Sequence, residues 1–395
     1  MSKKQFRKHF VLAGSLILLV SSSGTSFAAY QHDILSRIWS QGKSSVTYYA
    51  QSTFDAATKT QIQTAMSEWN NALPSGNFMY KSAADTNDTQ PSQNSIFTIT
   101  KYPYGATSYT IENNFYLSSN IVIESDLRVN SSLNWANSPK PDYYDIQSSF
   151  THEFGHTLRV DHSPVYEDTM FGSSSTNTDY KRTLTAADRE AAQYSVSRWK
   201  SNLFKTTDND ESSDSTNKGK IIIHSEPEVI QYDKNQLVNE ADVIVSGKVI
   251  SQEVVKDFEG FPVTDTLIRV QTVFKGEPGE TVEIRVNGGE TDDILYTLDE
   301  SAAPTFKVGE EAVVFLSSNK GLRPDKDDFG YYLVGQAQGK FILGGIQPKD
   351  IIENNTDTQS FDFNNFQNEI NNLEQYNNEY EIPRSYLPEG EESKI

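Results

Sequence analysis

The sequence contains no cysteine at all. This absence excludes disulfide bonds, a thiolate nucleophile and a membrane anchor attached through a lipidated cysteine. Secreted animal domains of comparable size usually carry disulfides, so their absence favours a bacterial protein exported from the cell.

Basic residues are scarce, with 34 Lys and Arg against 54 Asp and Glu, and the formal net charge is −20. Such an acidic surface repels nucleic acid and anionic membranes, so we expect no nucleic-acid partner.

Long apolar runs are also scarce. The run from Phe10 to Val20 is too short to span a bilayer well, and none of spanning length follows. We therefore expect no integral membrane association.

The first 28 residues have the order of a secretory signal peptide. Lys3, Lys4, Arg7 and Lys8 form a basic start, an apolar run follows, and small residues precede Ala28. An uncleaved anchor is the alternative, but the short apolar run argues against it. We expect cleavage after Ala28 and a secreted, extracellular protein. Loss of the four basic residues would change the formal net charge from −20 to −24.

The rest of the chain divides by composition. An α/β unit is predicted because strand-like runs flank a helical pattern between Phe54 and Leu73, with helices also predicted over 143–158 and 185–199. A segment rich in Asp, Ser, Thr and Asn follows, which is typical of a flexible linker. The predicted divisions are a signal peptide (1–28), the α/β domain (29–200), a linker (201–219), an all-β accessory domain (220–350) and an acidic tail (351–395).

The predicted accessory domain contains β-rich runs separated by turn signals such as Lys275–Gly279 and Asn287–Gly289. This pattern favours a small all-β barrel or sandwich. Its plainest role is stability or targeting; binding substrate or the cell envelope, or masking an active site, are the alternatives. In the tail, Phe363, Phe366 and Ile370 have the spacing of a short amphipathic helix, which we expect to pack on this domain. We expect a monomer.

The most informative segment runs from Thr151 to His162. It holds three of the six histidines, spaced His-x3-His-x5-His, with Glu153 directly after the first. On a helix, His152 and His156 share one face, and His162 can close a site from beyond a turn. Three imidazoles with one open position are the ligands of a catalytic Zn²⁺, and Glu153 could accept a proton from bound water. The alternative is a helix whose histidines lie on a solvated face.

This segment resembles the signature of the metzincin zinc peptidases, within them the matrixin-like branch. His152-Glu153-Phe154-Gly155-His156 is similar to the start of that signature, and Ser163 and Met170 follow at matching distances. Leu184 to Asp188 looks like the family's closing helix, so the likeness covers about residues 37–200. The resemblance implies an α+β fold, in which a twisted mixed sheet with three main helices is followed here by the all-β domain.

The resemblance also implies roles for individual residues. Met170 would form an apolar floor beneath the metal, and Asp188 would hydrogen-bond the wall of the active site. The alternatives are a core methionine and a helix-start carboxylate. Specificity would depend on the loop Phe171–Thr183. The implied function is a secreted zinc endopeptidase acting on proteins or peptides, with Glu153 as general base and His152, His156 and His162 as metal ligands.

One residue departs from the family's pattern. Arg159 stands where the family has glycine, at the turn that brings the third histidine to the metal. A left-handed turn there would cost a residue with a Cβ roughly 1–2 kcal/mol. Alternatively the backbone takes another route and Asp161 becomes the third ligand. We favour His162, because its spacing to Met170 is preserved.

Three further expectations concern regulation, calcium and a rival function. Without a cysteine, and with few residues before the first motif-like segment, we expect an enzyme that is active once folded and loaded with zinc. Asp85 to Asp88 could hold Ca²⁺ but lacks a dedicated loop pattern and is better explained as a solvated turn. The rival function is a non-catalytic secreted binding protein with a structural or decayed zinc site.

Overall fold

The computed structural model describes residues 38–39, 45–73, 79–81, 85–86, 94–99, 109–118, 121–131, 133–200, 220–299, 302–321, 323–343, 351–353, 360–382 and 384. The predicted signal peptide and linker lie outside these residues. Within them, the α-helices are α1 Ala56–Ala72, α2 Ile146–Thr157, α3 Ala186–Lys200, α4 Lys234–Glu240 and α5 Phe366–Glu379. None is long and apolar enough to cross a bilayer. The first three confirm the helices predicted from spacing.

The strands before residue 220 are β1 Ile38–Trp39, β2 Ser45–Gln51, β3 Met79–Lys81, β4 Asp85–Thr86, β5 Asn94–Ile99, β6 Tyr109–Ser118, β7 Ile121–Asn130, β8 Trp135–Ala136, β9 Tyr144–Asp145 and β10 Ser173–Ser174. Those after it are β11 Ile221–Ile230, β12 Val243–Lys256, β13 Pro262–Lys275, β14 Thr281–Asn287, β15 Gly289–Glu290, β16 Ile294–Leu298, β17 Glu311–Ser317, β18 Tyr331–Leu333, β19 Lys340–Leu343, β20 Ile351–Glu353 and β21 Ser360–Asp362.

The larger sheet is mixed and has the order β15-β16-β11-β6-β7-β5-β2-β3, with β1 paired to β7, β4 to β2 and β10 to β11. Its alternating burial follows the sequence: in β2, Val46, Tyr48 and Ala50 are buried and the residues between them are partly exposed. Helices α1 and α2 pack together, and Ile62, Met66 and Trp69 of α1 belong to the same hydrophobic cluster as Phe150 and Phe154 of α2. This mixed α/β arrangement is compatible with a matrixin-like domain.

The smaller sheet has the order β12-β13-β14-β18-β17-β19, and β12 also pairs with β17. These pairings join five of its strands in a closed ring around a second apolar cluster, which includes Val245, Ile268 and Val314. Helix α5 packs beside it, with Phe366 buried and its ring 4.6 Å from that of Phe274. The existence of a separate accessory domain stays a prediction, because β11, from within its predicted bounds, is part of the larger sheet.

Candidate active site

Helix α2 carries the first part of the site and is fixed at both ends. Asp145 is its N-cap, and the Asp145 carboxylate accepts a hydrogen bond of 2.9 Å from the backbone N–H of Ser148. Two indole N–H groups then hold the helix in the core. Trp69 donates to the carbonyl of Thr151 at 2.7 Å, and Trp39 donates to the carbonyl of Thr157 at 2.8 Å. The helix is therefore positioned by buried, directional bonds.

Arg159 makes the turn that follows the helix. Its φ is +66°, the left-handed conformation that favours glycine, so the turn survives with a strain of roughly 1–2 kcal/mol. The Arg159 side chain is buried, and its guanidinium carbon lies 4.2 Å from the centroid of the Phe115 ring. This cation–π contact offsets part of the strain. Of the two predicted routes, the structure takes the one that brings His162 back to the helix.

The three imidazoles converge through their Nε2 atoms. The Nε2 atom of His156 lies 3.1 Å from Nε2 of His152 and 3.1 Å from Nε2 of His162. Tetrahedral zinc with bonds near 2.0–2.1 Å would require ligand nitrogens about 3.3 Å apart, so the spacing fits one ion. A carbonyl can only accept, so Nδ1–H of His152 must donate to Thr169 O at 2.8 Å and that of His156 to Val160 O at 2.9 Å. Both Nε2 lone pairs are thus available to a metal.

The surroundings of His152 and His156 favour the neutral form of both imidazole rings. Burial, followed by the charge of Lys181, lowers the pKa of His152 well below its usual value. Burial, followed by the nearby His162 ring, does the same for the pKa of His156. Neutral imidazole is the form that binds a divalent cation.

Glu153 is fully buried beside the imidazoles. Neither of its carboxylate oxygens forms an ordinary hydrogen bond to a described residue. Burial, followed by the charge of Glu228, raises its pKa well above the usual value, while the charge of Lys181 opposes that rise. A buried carboxylate without a fixed partner is suited to exchanging a proton with a ligand.

Asp161 does not join this group. It lies instead with His162, Glu226 and Asp299, whose possible ligand atoms are all within 4.8 Å of one another. The Asp161 carboxylate also accepts from the backbone N–H of His162 at 2.7 Å. The residues that the structure brings to one point are therefore His152, His156 and His162.

Met170 lies under the site and is fully buried. An added Cβ on Gly155 would lie only 2.2 Å from Met170 Sδ and 2.8 Å from Cζ2 of Trp69. The glycine inside the His-x3-His segment is therefore the residue that leaves room for the methionine. Gly172 similarly packs on the His162 ring, where an added Cβ would lie 3.1 Å from the ring.

Asp188 combines the two roles considered for it. Its carboxylate accepts hydrogen bonds from the backbone N–H groups of Thr169 at 3.1 Å and Met170 at 3.3 Å, which fixes the turn beneath the site. It also accepts from the N–H of Thr185 at 2.8 Å, while the Thr185 hydroxyl accepts from the N–H of Asp188 at 3.3 Å. This reciprocal pair is the capping box expected at the start of α3.

Strand β11 passes through the cleft beside these residues. One edge pairs antiparallel with β6, with Glu226 opposite Asn113, and the other edge pairs in parallel with β10, with Val229 opposite Ser173. The N–H of Val229 donates to the carbonyl of Gly172 at 3.2 Å. The expectation of an enzyme that is active once folded and loaded with zinc stays a prediction. Strand β11 belongs to the segment 220–350, for which masking of an active site was one of the alternatives, and it lies beside the site.

A buried ion pair anchors the strand next to the imidazoles. Lys181 Nζ lies 2.7 Å from Glu228 Oε1, and the two side chains are 1% and 0% exposed. Lys181 also donates to the carbonyl of Phe171 at 2.5 Å. The hydroxyls of Ser149 and Ser174 hydrogen-bond to Glu228 as well. The carboxylate is therefore held by a cation and two hydroxyls in a pocket closed to solvent.

Sequence reasoning did not identify Lys181, Glu226 or Glu228. His224 stands alone in the sequence, but in the structure its ring forms hydrogen bonds with the Glu226 carboxylate at 2.6 Å and with the Thr297 hydroxyl at 2.9 Å. The only available signal was the acidic and apolar alternation around Pro227, which predicts a short strand but no partner. Calcium binding by the segment from Asp85 to Asp88 stays a prediction, because Asn87 and Asp88 lie outside the described residues.

Comparison with known proteins agrees with this geometry. Residues 39–195 match the model of the matrixin family, which covers less than half of the 395 residues. A search of curated proteins finds no match to the chain. At the level of the family, the match supports a zinc metallopeptidase, and a peptidase acts on a protein or peptide substrate. Residues 39–195, with His152, His156 and His162 brought together, are thus similar to a matrixin-like metzincin domain.

Proposed function

We propose that the protein is a secreted endopeptidase that holds one Zn²⁺ through His152, His156 and His162 and uses Glu153 as its general base. The observation that carries this proposal is the convergence of three Nε2 atoms next to a buried carboxylate that has no ordinary hydrogen-bond partner. A purely structural zinc site needs no base beside the metal, whereas hydrolysis does.

The donor set fits the metal, since three imidazoles that converge through Nε2 are usual zinc ligands, and carbonyls hold the Nδ1–H groups of His152 and His156. When bound, zinc supplies a Lewis acid that makes water a stronger acid and polarises a carbonyl. Glu153 would accept the proton from the attacking water and return it to the nitrogen of the leaving amine. Its raised pKa suits both steps, because the group must be able to hold the proton between them.

Neighbouring residues keep this arrangement in place. Val160 and Thr169 carbonyls orient the two helix imidazoles, and Asp188 fixes the backbone of Thr169. Met170 and Gly155 fill the space below without adding a polar group. The chain supplies no nucleophilic cysteine, so we propose direct attack by water rather than a covalent intermediate.

Cleavage of casein by the purified, zinc-loaded chain tests the proposal. We expect one zinc per chain, and we expect Glu153→Ala to retain the zinc but to lose cleavage by a factor of about 10²–10⁴. Glu190→Ala, which removes a partly exposed carboxylate on α3, is the matched control and should cleave as the wild type does. Equal cleavage by Glu153→Ala and wild type would refute the assignment.

Secretion, extracellular location, a monomeric state and contact with the cell envelope are part of the proposal as expectations from the sequence. They are tested by fractionation of the producing cells and by the mass of the secreted chain in solution. Mature protein found outside the cell and beginning after Ala28 is the expected result.

One observation favours a second candidate, a non-catalytic binding protein. Strand β11 covers the cleft, as it would in a protein whose zinc site has only a structural role. The casein experiment separates the two candidates, because a structural site predicts zinc without any cleavage that depends on Glu153.

A further inference from the structure

Strand β11 is held in the cleft as an extended peptide would be. Its backbone is hydrogen-bonded along one edge to β6 and along the other to β10, so the strand adds itself to the sheet at the metal centre. The bonds include Val229 N–H to Gly172 O at 3.2 Å and Gln231 N–H to Ser174 O at 2.9 Å. Backbone bonding of this kind is independent of sequence, so any extended substrate could replace it.

The position of the strand beside the imidazoles follows from Gly172. Gly172 packs on the His162 ring, and its carbonyl accepts the backbone N–H of Val229 at 3.2 Å. Glu228 directly precedes Val229, and its carboxylate lies in the pocket of Lys181. A substrate bound as β11 is would therefore have its cleaved bond at the position of the Pro227–Glu228 peptide bond, directly before the side chain that enters the pocket.

The side chain that follows this bond enters a pocket with specific chemistry. Its carboxylate meets Lys181 Nζ at 2.7 Å and the hydroxyls of Ser149 and Ser174. Lys181 is itself buried and is held by the carbonyl of Phe171. A buried ammonium is costly unless an anion accompanies it, so an apolar or basic side chain in this pocket would leave Lys181 unpaired.

We propose that Lys181 is a specificity-determining residue that selects substrates with Glu or Asp directly after the cleaved bond, and that β11 is a pseudo-substrate whose Glu228 fills this pocket. The inference rests on the proposed endopeptidase function and adds the substrate class. Added substrates must displace β11, which is further held by parallel pairing of Ile221–Ser225 with β16. The full chain is therefore slow on added peptides until the strand leaves the cleft.

Cleavage of a peptide library, sequenced by mass spectrometry, tests the proposal on the zinc-loaded full chain. We expect Glu and Asp to be enriched about tenfold or more over Lys, Arg and neutral residues directly after the cleaved bond, since a buried charged pocket rejects unpaired occupants. Glu228→Gln removes the charge that binds the strand and leaves Lys181 intact. It should raise the rate on acidic peptides severalfold with the same selectivity.

The charge-swapped variant Lys181→Glu with Glu228→Lys keeps a buried ion pair and should invert the preference toward Lys and Arg. The matched control is Glu253→Gln, an exposed carboxylate on β12, which should leave rate and selectivity unchanged. The wild-type profile is informative even if the swapped chain does not fold.

The outcomes separate the two proposals. Cleavage that depends on Glu153 but shows no acidic preference would overturn the role of Lys181 and leave the endopeptidase proposal standing. The same holds if a folded, zinc-bound swapped chain keeps the wild-type preference. A lack of acceleration in Glu228→Gln would overturn the pseudo-substrate role of β11. Cleavage that is unaffected by Glu153→Ala would instead remove the proposed function itself.

Discussion

The two halves of the cleft, the imidazole cluster and the Lys181–Glu228 pocket, are both largely buried but are built in opposite ways. The imidazoles come from one continuous segment of eleven residues, whereas Lys181 and Glu228 are 47 positions apart. Burial drives His152 and His156 toward their neutral forms. In the pocket, burial lowers the pKa of Lys181, but pairing with Glu228 opposes that shift.

Burial therefore has two different consequences in this cleft. It favours the neutral form of the imidazoles, whereas it requires the Lys181 ammonium to be paired with an anion. A neutral imidazole is ready for a metal and needs only carbonyl partners that fix its orientation. A buried ammonium needs a matching anion, and it therefore discriminates among the side chains that enter. In the proposed enzyme, the first half would supply the chemistry of hydrolysis and the second the selectivity for substrates.

Lys181→Met removes the cation of the pocket and should produce the largest loss of stability. It leaves Glu228 buried without its counter-charge, so the free energy of unfolding should fall by about 3–5 kcal/mol. Urea titration measures this change. Lys307→Met, at an exposed lysine, is the control and should be nearly neutral. If the two variants lose the same stability, the pair does not anchor the strand.

Gly155→Ala should disturb the imidazole half. The added methyl group would overlap Met170 and Trp69, and overpacking of this kind costs roughly 1–3 kcal/mol. Alanine recovers up to about 1 kcal/mol as a better helix former, so a net loss of about 1–2 kcal/mol is expected in thermal unfolding. Gly279→Ala, where the nearest atom is 3.7 Å away, is the control. An unchanged melting temperature in Gly155→Ala would contradict the packing described.

Arg159 allows the strain of the turn to be separated from its packing. Arg159→Ala loses the contact with Phe115 and keeps the left-handed strain, whereas Arg159→Gly loses the contact and relieves the strain. We expect the glycine variant to be more stable than the alanine variant by about 1 kcal/mol. The opposite order in chemical denaturation would show that the turn is not left-handed in solution.

The smallest expected effect is the pH dependence of the unfolding free energy that comes from Glu228 in the pocket. Burial acts to raise the pKa of Glu228, but Lys181 and the hydroxyls of Ser149 and Ser174 outweigh it and lower that pKa below 4.5. A depressed folded pKa stabilises the protein above the unfolded value and loses this contribution as pH falls through the folded pKa.

The advantage of wild type over Glu228→Gln should therefore be larger at pH 7 than at acid pH, where the Glu228 carboxyl takes up a proton. Unfolding free energies of both chains across this range provide the measurement. An advantage that is independent of pH would show that Glu228 is not ionised in the pocket.

The same contrast, between neighbours in sequence and residues far apart in it, separates what the sequence predicts from what it does not. The spacing of His152, His156 and His162 and the capping by Thr185 and Asp188 are local patterns, and the structure contains both. The left-handed turn at Arg159 was one of two predicted routes, because the sequence does not contain the energy of the contact with Phe115.

The pocket could not be predicted, since no local pattern links Lys181 to Glu228. Their meeting depends on β11 crossing from beyond residue 220 to pair with β6, and such distant pairing has no signature in one sequence.

X-ray absorption at the zinc edge of the purified chain tests the central claim most directly. We predict one zinc per chain with three imidazole nitrogens at about 2.0–2.1 Å, and loss of that signal in His156→Ala. Absence of zinc, or a coordination shell without three imidazoles, would contradict it.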